Sequence, residues 1–397
     1  MTQTDPAKHL DRYLDELTSR RTLPDDDAAT VSACAVRVAH EGRVVYSRDA
    51  GYTAFDNHSA ARYGGGAPHR IDPGTRFDLA SLTKCLVALA LLRECERHGV
   101  SLDDPLETSP NDPGATIAQA LSHTAGFPAV WDAAHNPDSG LLSVPLGKRW
   151  ERFRRISPTA APGERFEYSD VSLIFAGMRA AQLAGASLAE TVLRDVCEPW
   201  HLRDTSFGPL PHGLAAQTEY DAVWRHRILD GEVHDETSFA LGGAVGNAGL
   251  FSTADDVLRF AEGLRKARED AADPMHRAAM ELTTPIPHPL PGMEHGTALG
   301  TQIADHDWMT DLISSPTFGH TGYTGTCFMV DPDRRLSIVI LTNSVHPHRN
   351  RVATYPMRRA IIADAYAIAG NQHVRISDKT SPKYKHNIRS ACPKHDG

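Results

Sequence analysis

SLTKCLVALALLRECERH, residues 81–98, is the stretch on which the fold turns. Leu82, Leu86, Leu89 and Leu92 fall along one side at helical spacing, and the first half is apolar all round. The segment therefore predicts a central, buried helix. Its one early charge is Lys84, three residues after Ser81, and residues i and i+3 share a helix face. A serine hydroxyl is a poor nucleophile until something takes its proton. A lysine serves as base only where burial or neighbours depress its pKa, and an otherwise apolar helix suits that. The helix N-terminus adds backbone N–H groups and a positive dipole for a developing oxyanion. Taken alone, S-x-x-K recurs by chance: Ser81 then simply caps a helix, and Lys84 snorkels to the surface.

Working outward, VSACAVRVAH (31–40) and RVVYSRDAG (43–51) alternate, are β-branched and are split by Glu41-Gly42, which predicts an antiparallel hairpin. GTCFMVDPDRRLSIVILTNS (325–344) predicts a second hairpin, turning at Asp331-Pro332-Asp333, with a closing helix over about 351–369. Strands at both ends with helices between imply one sheet built from both termini. The expected fold class is α/β in the α+β sense: an antiparallel sheet flanked by helices, with an inserted all-helical region. The expected organisation is an N-terminal helix over 1–24, a sheet domain over 25–98 and 290–370, a mainly helical region over 99–289 and a loose basic tail over 371–397, forming one catalytic unit. The polar 54–74 stretch, with Gly64-Gly65-Gly66, lacks the strand–Gly–Lys context of a phosphate cradle and reads as a mobile loop.

Composition narrows the function. The chain has 397 residues, 41% hydrophobic and 23% charged, with a net charge of −9. An acidic balance argues against a nucleic-acid partner. No apolar run approaches the ~20 residues of a membrane span. Leu10, Tyr13, Leu14 and Leu17 predict an amphipathic opening helix instead of a secretory core, so the expectation, taking this as the native start, is a cytoplasmic protein. The six cysteines are scattered, and the 21 histidines include no H-E-x-x-H, so no metal or other cofactor is expected. G-x-S-x-G is absent, which removes the α/β-hydrolase elbow as a template.

Two further motifs accompany S-x-x-K: Tyr168-Ser169-Asp170 in PGERFEYSDVSLIFAG, and His320-Thr321-Gly322 in FGHTGYTGT. LSHTAGFP (121–128), CEPWHLRDTSF (197–207) and VHDETSFALGGAVGNAGLFSTADDVLRF (233–260) lie between them. In order and rough spacing the set resembles serine β-lactamases, penicillin-binding proteins and related esterases, D-peptidases and transacylases, over roughly residues 25–370. The resemblance implies a β-lactamase/transpeptidase-like fold. It implies Ser81 as acyl-enzyme nucleophile, Lys84 as its holder and helper, and Tyr168 as the residue that shares base duty and protonates the leaving group. Backbone N–H groups of Ser81 and Tyr323 would form the oxyanion hole, and Asp170, His320, Thr321 and Gly322 would meet the substrate. His123 and His234 fall in family-like stretches, with a structural or substrate-loop role expected.

Two positions depart from the lactamase pattern. His320 stands where that family presents lysine, so a substrate carboxylate meets a charge only when the imidazole, ordinarily near pKa ~6.5, is protonated. Asp170 stands in place of asparagine and would favour a charged Lys84, moving base duty toward Tyr168. The expected partner is a small-molecule ester, amide or peptide, with β-lactams poor substrates and the oligomeric state left open. Hydrolysis of an ester or amide is the first reading. Acyl transfer to an amine or alcohol in specialised metabolism is the second, and a catalytically silent binding or sensing protein is the third. The 54–74 and Pro-rich 284–296 stretches are the loops expected to border the cleft.

Overall fold

The computed structural model describes residues 5–23, 30–107, 111, 114–287 and 289–370. The expected tail at 371–397 lies outside these. The N-terminal hairpin forms as β1 (Ala33–His40) and β2 (Arg43–Gly51), and both turn residues, Glu41 and Gly42, take positive φ as a two-residue hairpin turn requires. The C-terminal end supplies β3 (Gly296–Thr297), β4 (Gln302–Ile303), β5 (Phe318–Thr321), β6 (Cys327–Asp331) and β7 (Leu336–Thr342). Among the described residues these seven strands form one antiparallel sheet in the order β2-β1-β7-β6-β5-β4-β3. Its seam joins the two ends of the chain, with β1 on β7 from Cys34↔Thr342 to His40↔Leu336.

Five helices matter for the site: α1 (Pro6–Leu17), α2 (Leu82–His98), α3 (Asp170–Ala184), α4 (Ala254–Glu269) and α5 (Thr354–Ile368). Successive strand side chains point to opposite faces, and β1 feeds two cores accordingly. Cys34, Val36 and Val38 pack with Leu10, Leu14, Ile361 and Ile362 of α1 and α5, whereas Ala33, Ala35 and Ala39 join the larger core around α2. Burial on both faces is why β1 reads as an almost continuous apolar run. Helix α4 comes from the span expected to be helical insertion, yet it lies on the sheet against β1, β6 and β7.

Helix α2 is the central element its sequence predicts. It packs on α3 and on His276–Thr283, and ends at Gly99 in the left-handed conformation typical of a helix C-terminus. Leu82, Leu86, Leu89, Leu91 and Leu92 are all buried in it. At about 1.5–3 kcal/mol each, they outweigh the several kcal/mol needed to desolvate one lysine on the same helix.

The 54–74 stretch is pinned, contrary to the mobile loop expected. It holds two short 3-10 turns, Asp56–His58 and Ala60–Tyr63. The Gly66 N–H donates to Asp230 at 2.7 Å, and the Gln217 side chain bridges the Ala60 N–H and the Gly66 carbonyl at 2.8 and 2.9 Å. These bonds come from residues about 150 positions away, which no local reading of Gly64-Gly65-Gly66 reveals.

Candidate active site

Ser81 is the N-cap residue of α2, but its side chain makes no capping bond. Its Oγ instead accepts a hydrogen bond from Lys84 Nζ at 2.7 Å. The residue before it, Ala80, sits at φ 46°, a left-handed conformation that costs a non-glycine residue about 1–3 kcal/mol. Asp78 holds that bend: one carboxylate oxygen accepts the Ala80 N–H at 2.8 Å and the other accepts the His234 N–H at 2.7 Å. The backbone thus delivers Ser81 abruptly from strand into helix.

Lys84 does not snorkel; it is 1% exposed. Its ammonium lies 2.7 Å from Ser81 Oγ, 2.7 Å from Asp170 Oδ1 and 3.3 Å from the Asn247 carbonyl. Burial alone would lower its pKa, but the charges of Asp170 and Tyr168 outweigh it and the net shift is upward. The depressed lysine that an apolar helix suggests is therefore not what the site holds. Lys84 is a cation, as the Asp170 substitution predicts.

Asp170 opens α3, and the cap is its neighbour: Ser169 Oγ accepts the Ser172 N–H at 3.0 Å. This frees the Asp170 carboxylate for Lys84. Burial raises the Asp170 carboxyl above the usual range, with Lys84 opposing.

Tyr168 presents its ring to the cleft, 37% exposed, with Lys84 Nζ 4.9 Å from the ring centroid. Burial of the hydroxyl end raises the phenol pKa, and contacts with Lys84 and Ser81 pull it back in part, so the phenol keeps its proton at neutral pH. His123 fixes this segment. Its ring stacks on Tyr168 with centroids 4.5 Å apart, its Nδ1 accepts the Ser169 N–H at 3.0 Å, and its carbonyl accepts the Glu167 N–H at 3.0 Å. Burial, and then Lys84, hold His123 well below its ordinary pKa, so it stacks as a neutral ring. The Pro-rich loop docks beside it, the Pro291 carbonyl accepting the Phe166 N–H at 2.9 Å.

His320 lies on β5, opposite Phe328 of β6, and is 2% exposed. Nδ1 donates to the Thr321 carbonyl at 2.8 Å. Burial first, and the Lys84 charge second, push its pKa down to about 3. The expectation that His320 becomes a cation in the ordinary histidine range is corrected here: a buried ring facing an ammonium stays neutral. Thr321 ends β5, and Gly322 follows where a Cβ would meet Thr326 Oγ1 at 2.1 Å and the Leu79 carbonyl at 2.6 Å, so only glycine fits. The Thr324 hydroxyl donates to the Asp78 carbonyl at 2.7 Å and the Thr326 hydroxyl to the Leu79 carbonyl at 3.1 Å. These bonds staple the turn that carries Tyr323 to the residues leading into Ser81.

Sequence reasoning missed several contributors. Asn247 offers its carbonyl to Lys84, while Asp235 holds its side-chain amide at 3.1 Å. Both lie within the quoted 233–260 stretch, but nothing in their spacing marks a role. His234, expected in a structural or substrate-loop role, pairs with residues the sequence did not mark: its Nε2 meets the buried Glu219 at 2.8 Å, and the half-buried Arg349 donates to Glu219 and Glu236, each at 2.6 Å. Against burial, these bonds hold the Glu219 carboxyl down at about 2. The Tyr323 ring faces this cluster, 5.7 Å from the His234 ring and 5.9 Å from the Arg349 guanidinium.

Residues 20–361 match the Beta-lactamase family profile. The putative D-alanyl-D-alanine carboxypeptidase of Escherichia coli (strain K12) is 29% identical over 314 residues, covering 70% of this chain and 71% of that one. The N-acetylmuramyl-L-alanine amidase of Bacillus subtilis (strain 168) is 28% identical over 371 residues, covering 84% and 81%. Among solved structures, EstCE1, described as a hydrolase with promiscuous acyltransferase activity, superposes with a TM-score of 0.67 at 22% identity, over 91% of this chain and 99% of that one. The octameric penicillin-binding protein homologue from Pyrococcus abyssi gives 0.65 at 21%, over 91% and 76%. With a family match across most of its length and an S-x-x-K helix set behind an antiparallel sheet of this fold, the chain belongs to the beta-lactamase family and is a serine hydrolase or acyltransferase.

Proposed function

We propose that this enzyme cleaves an ester or amide through an acyl-enzyme on Ser81. The observation that carries the reading is the buried Lys84 ammonium, 2.7 Å from both Ser81 Oγ and the Asp170 carboxylate. A charged lysine cannot take the serine proton. It stabilises negative charge growing on Oγ, while Tyr168 handles the proton. As Oγ bonds to the acyl carbon, its proton passes to the Tyr168 oxygen and the phenol's own proton passes to the leaving oxygen or nitrogen. The bond to that leaving atom then breaks, and Tyr168 remains neutral throughout, in keeping with its raised pKa. Water reverses the relay to release the acid. The N–H groups of Ser81 and Tyr323 are the donors we assign to the carbonyl oxygen as it gains charge.

The cations that touch the site are committed: Lys84 to Asp170, Arg349 to Glu219 and Glu236, and Arg358 to backbone carbonyls, while His320 stays neutral. This favours substrates without a carboxylate beside the scissile bond, so short esters should outperform β-lactams. Water is the acceptor we assign. The description of EstCE1 as a hydrolase with promiscuous acyltransferase activity is the reason to test amines and alcohols alongside it. The test supplies p-nitrophenyl esters, D-amino-acid peptides and a chromogenic cephalosporin, with and without graded acceptors, and follows acid and transfer product together. Cephalosporin turnover rivalling the esters at pH 8 overturns the substrate reading, and transfer exceeding hydrolysis at modest acceptor concentration replaces hydrolase with transacylase.

A further inference from the structure

Arg358, on α5, is among the largest fully buried side chains, at 2% exposed. Burying a guanidinium is costly unless a carboxylate answers it. Among the described residues Arg358 makes no ion pair and its Nε has no hydrogen-bond partner; against burial its charge is supported by the Cys327 side chain and, at longer range, by Tyr355 and Asp305. Its Nη2 instead donates to two backbone carbonyls, those of Gly322 and Thr326, each at 3.1 Å. These carbonyls bracket the turn between β5 and β6. The Gly322 carbonyl and the Tyr323 N–H are the two ends of one planar peptide unit. A cation bound to the oxygen of an amide draws electron density toward that end and makes the N–H at the other end a stronger donor.

We propose that Arg358 is a positioning residue of the oxyanion hole, holding and polarising the 322–323 peptide so that the Tyr323 N–H binds oxyanion more strongly than a neutral backbone could. This rests on the reading above that Tyr323 N–H is an oxyanion donor. The turn has anchors of its own, the Thr324 and Thr326 hydroxyls and the Gly322 N–H to the Thr326 carbonyl at 2.7 Å. Loss of the guanidinium therefore removes polarisation more than it removes shape. A fixed cation in a dry interior acts without reorganising during the reaction, the condition under which such fields count most.

The test compares an ester with its thionoester, whose sulfur accepts hydrogen bonds poorly, in the wild-type enzyme, Arg358→Gln and Arg358→Lys. Folding is checked by Tm. Removing a whole oxyanion donor costs about 10²–10³ in kcat, and weakening one should cost a part of that, about tenfold. Arg358→Gln should lose about tenfold in kcat on the ester with KM little changed, and its ester-to-thionoester ratio should fall by the same factor. Arg358→Lys, which keeps the charge but not the fork, should lie between. A wild-type ratio that is large and unchanged in Arg358→Gln overturns the proposal and leaves the oxyanion reading standing. A wild-type enzyme indifferent to sulfur overturns the oxyanion reading itself, and this inference with it. If Arg358→Gln fails to fold, an Arg358→Lys enzyme with wild-type kcat and ratio overturns the proposal.

Discussion

Replacing Asp170 by asparagine tests the electrostatics of the site. In the native protein Lys84 is 1% exposed and its ammonium rests on a carboxylate 2.7 Å away. Asp170→Asn leaves that ammonium with Ser81 Oγ and the Asn247 carbonyl. Breaking a buried ion pair on one side costs about 3–5 kcal/mol. For a chain of this length an unfolding entropy of ~2.1 cal/mol/K per residue turns that into a loss of about 4–6 °C in Tm. The pH dependence distinguishes this cause from simple mispacking. Native Lys84 has its pKa raised above the unfolded value, so its contribution is complete below the ordinary lysine range and is lost only as pH climbs through the folded pKa. In the variant burial is no longer opposed, and the folded pKa falls below the unfolded one. Stability should then increase with pH between those two values, as the buried amine sheds its proton. Differential scanning calorimetry from pH 6 to 9 should find the gap between wild-type and variant Tm narrowing as pH rises, since the buried histidines and cysteines titrate alike in both proteins. A variant with unchanged Tm, or one lowered equally at every pH, refutes the assignment of Lys84 as a cation held by Asp170.

Tyr168→Phe removes the relay hydroxyl but keeps the ring stacked on His123, so kcat should fall by about 10²–10⁴ while Tm moves little; a kcat within a few-fold of wild type removes Tyr168 from the mechanism. His320, with its pKa near 3, should leave kcat/KM for a carboxylate-bearing ester flat between pH 7.5 and 5.5, and a rise across that range means that the imidazole is protonating there. His320→Lys should raise cephalosporin turnover relative to short esters, read from the ratio of the two kcat/KM values. His123→Ala deletes both the stack and the bond to the Ser169 N–H; it should lower kcat more than it raises KM, with His123→Asn, which can still accept that N–H, recovering part of the loss.

The sequence carried the architecture where the physics is local or strongly patterned. The alternation of 31–51 and 325–344 placed both hairpins, and the all-round apolarity of 82–92 placed α2 at the centre. Ser81, Lys84, Tyr168 and Asp170 come together because two short motifs lie at the starts of α2 and α3, where side chains and backbone dipoles converge. The electrostatics of Asp170 on Lys84 were legible once the family resemblance placed the two motifs side by side. The neutrality of His320 was not, because it depends on burial and on an ammonium 236 positions earlier in the chain. Asp78, Asn247 and Arg358 were invisible for a related reason: each acts through a backbone N–H or carbonyl, which has no residue signature. The pinning of 54–66 by Gln217 and Asp230 is likewise a long-range bond between segments that each read as loop.

The most direct measurement of the central claim is covalent labelling read by intact mass. The protein is exposed to a fluorophosphonate or a reactive p-nitrophenyl ester, weighed, and digested to map the adduct. The account predicts one adduct per chain on Ser81, its formation slowed in Tyr168→Phe and absent in Ser81→Ala together with all turnover. A stoichiometric adduct or sustained hydrolysis in Ser81→Ala contradicts it, and complete failure of the native protein to label or turn over any ester or amide returns the chain to the binding or sensing reading.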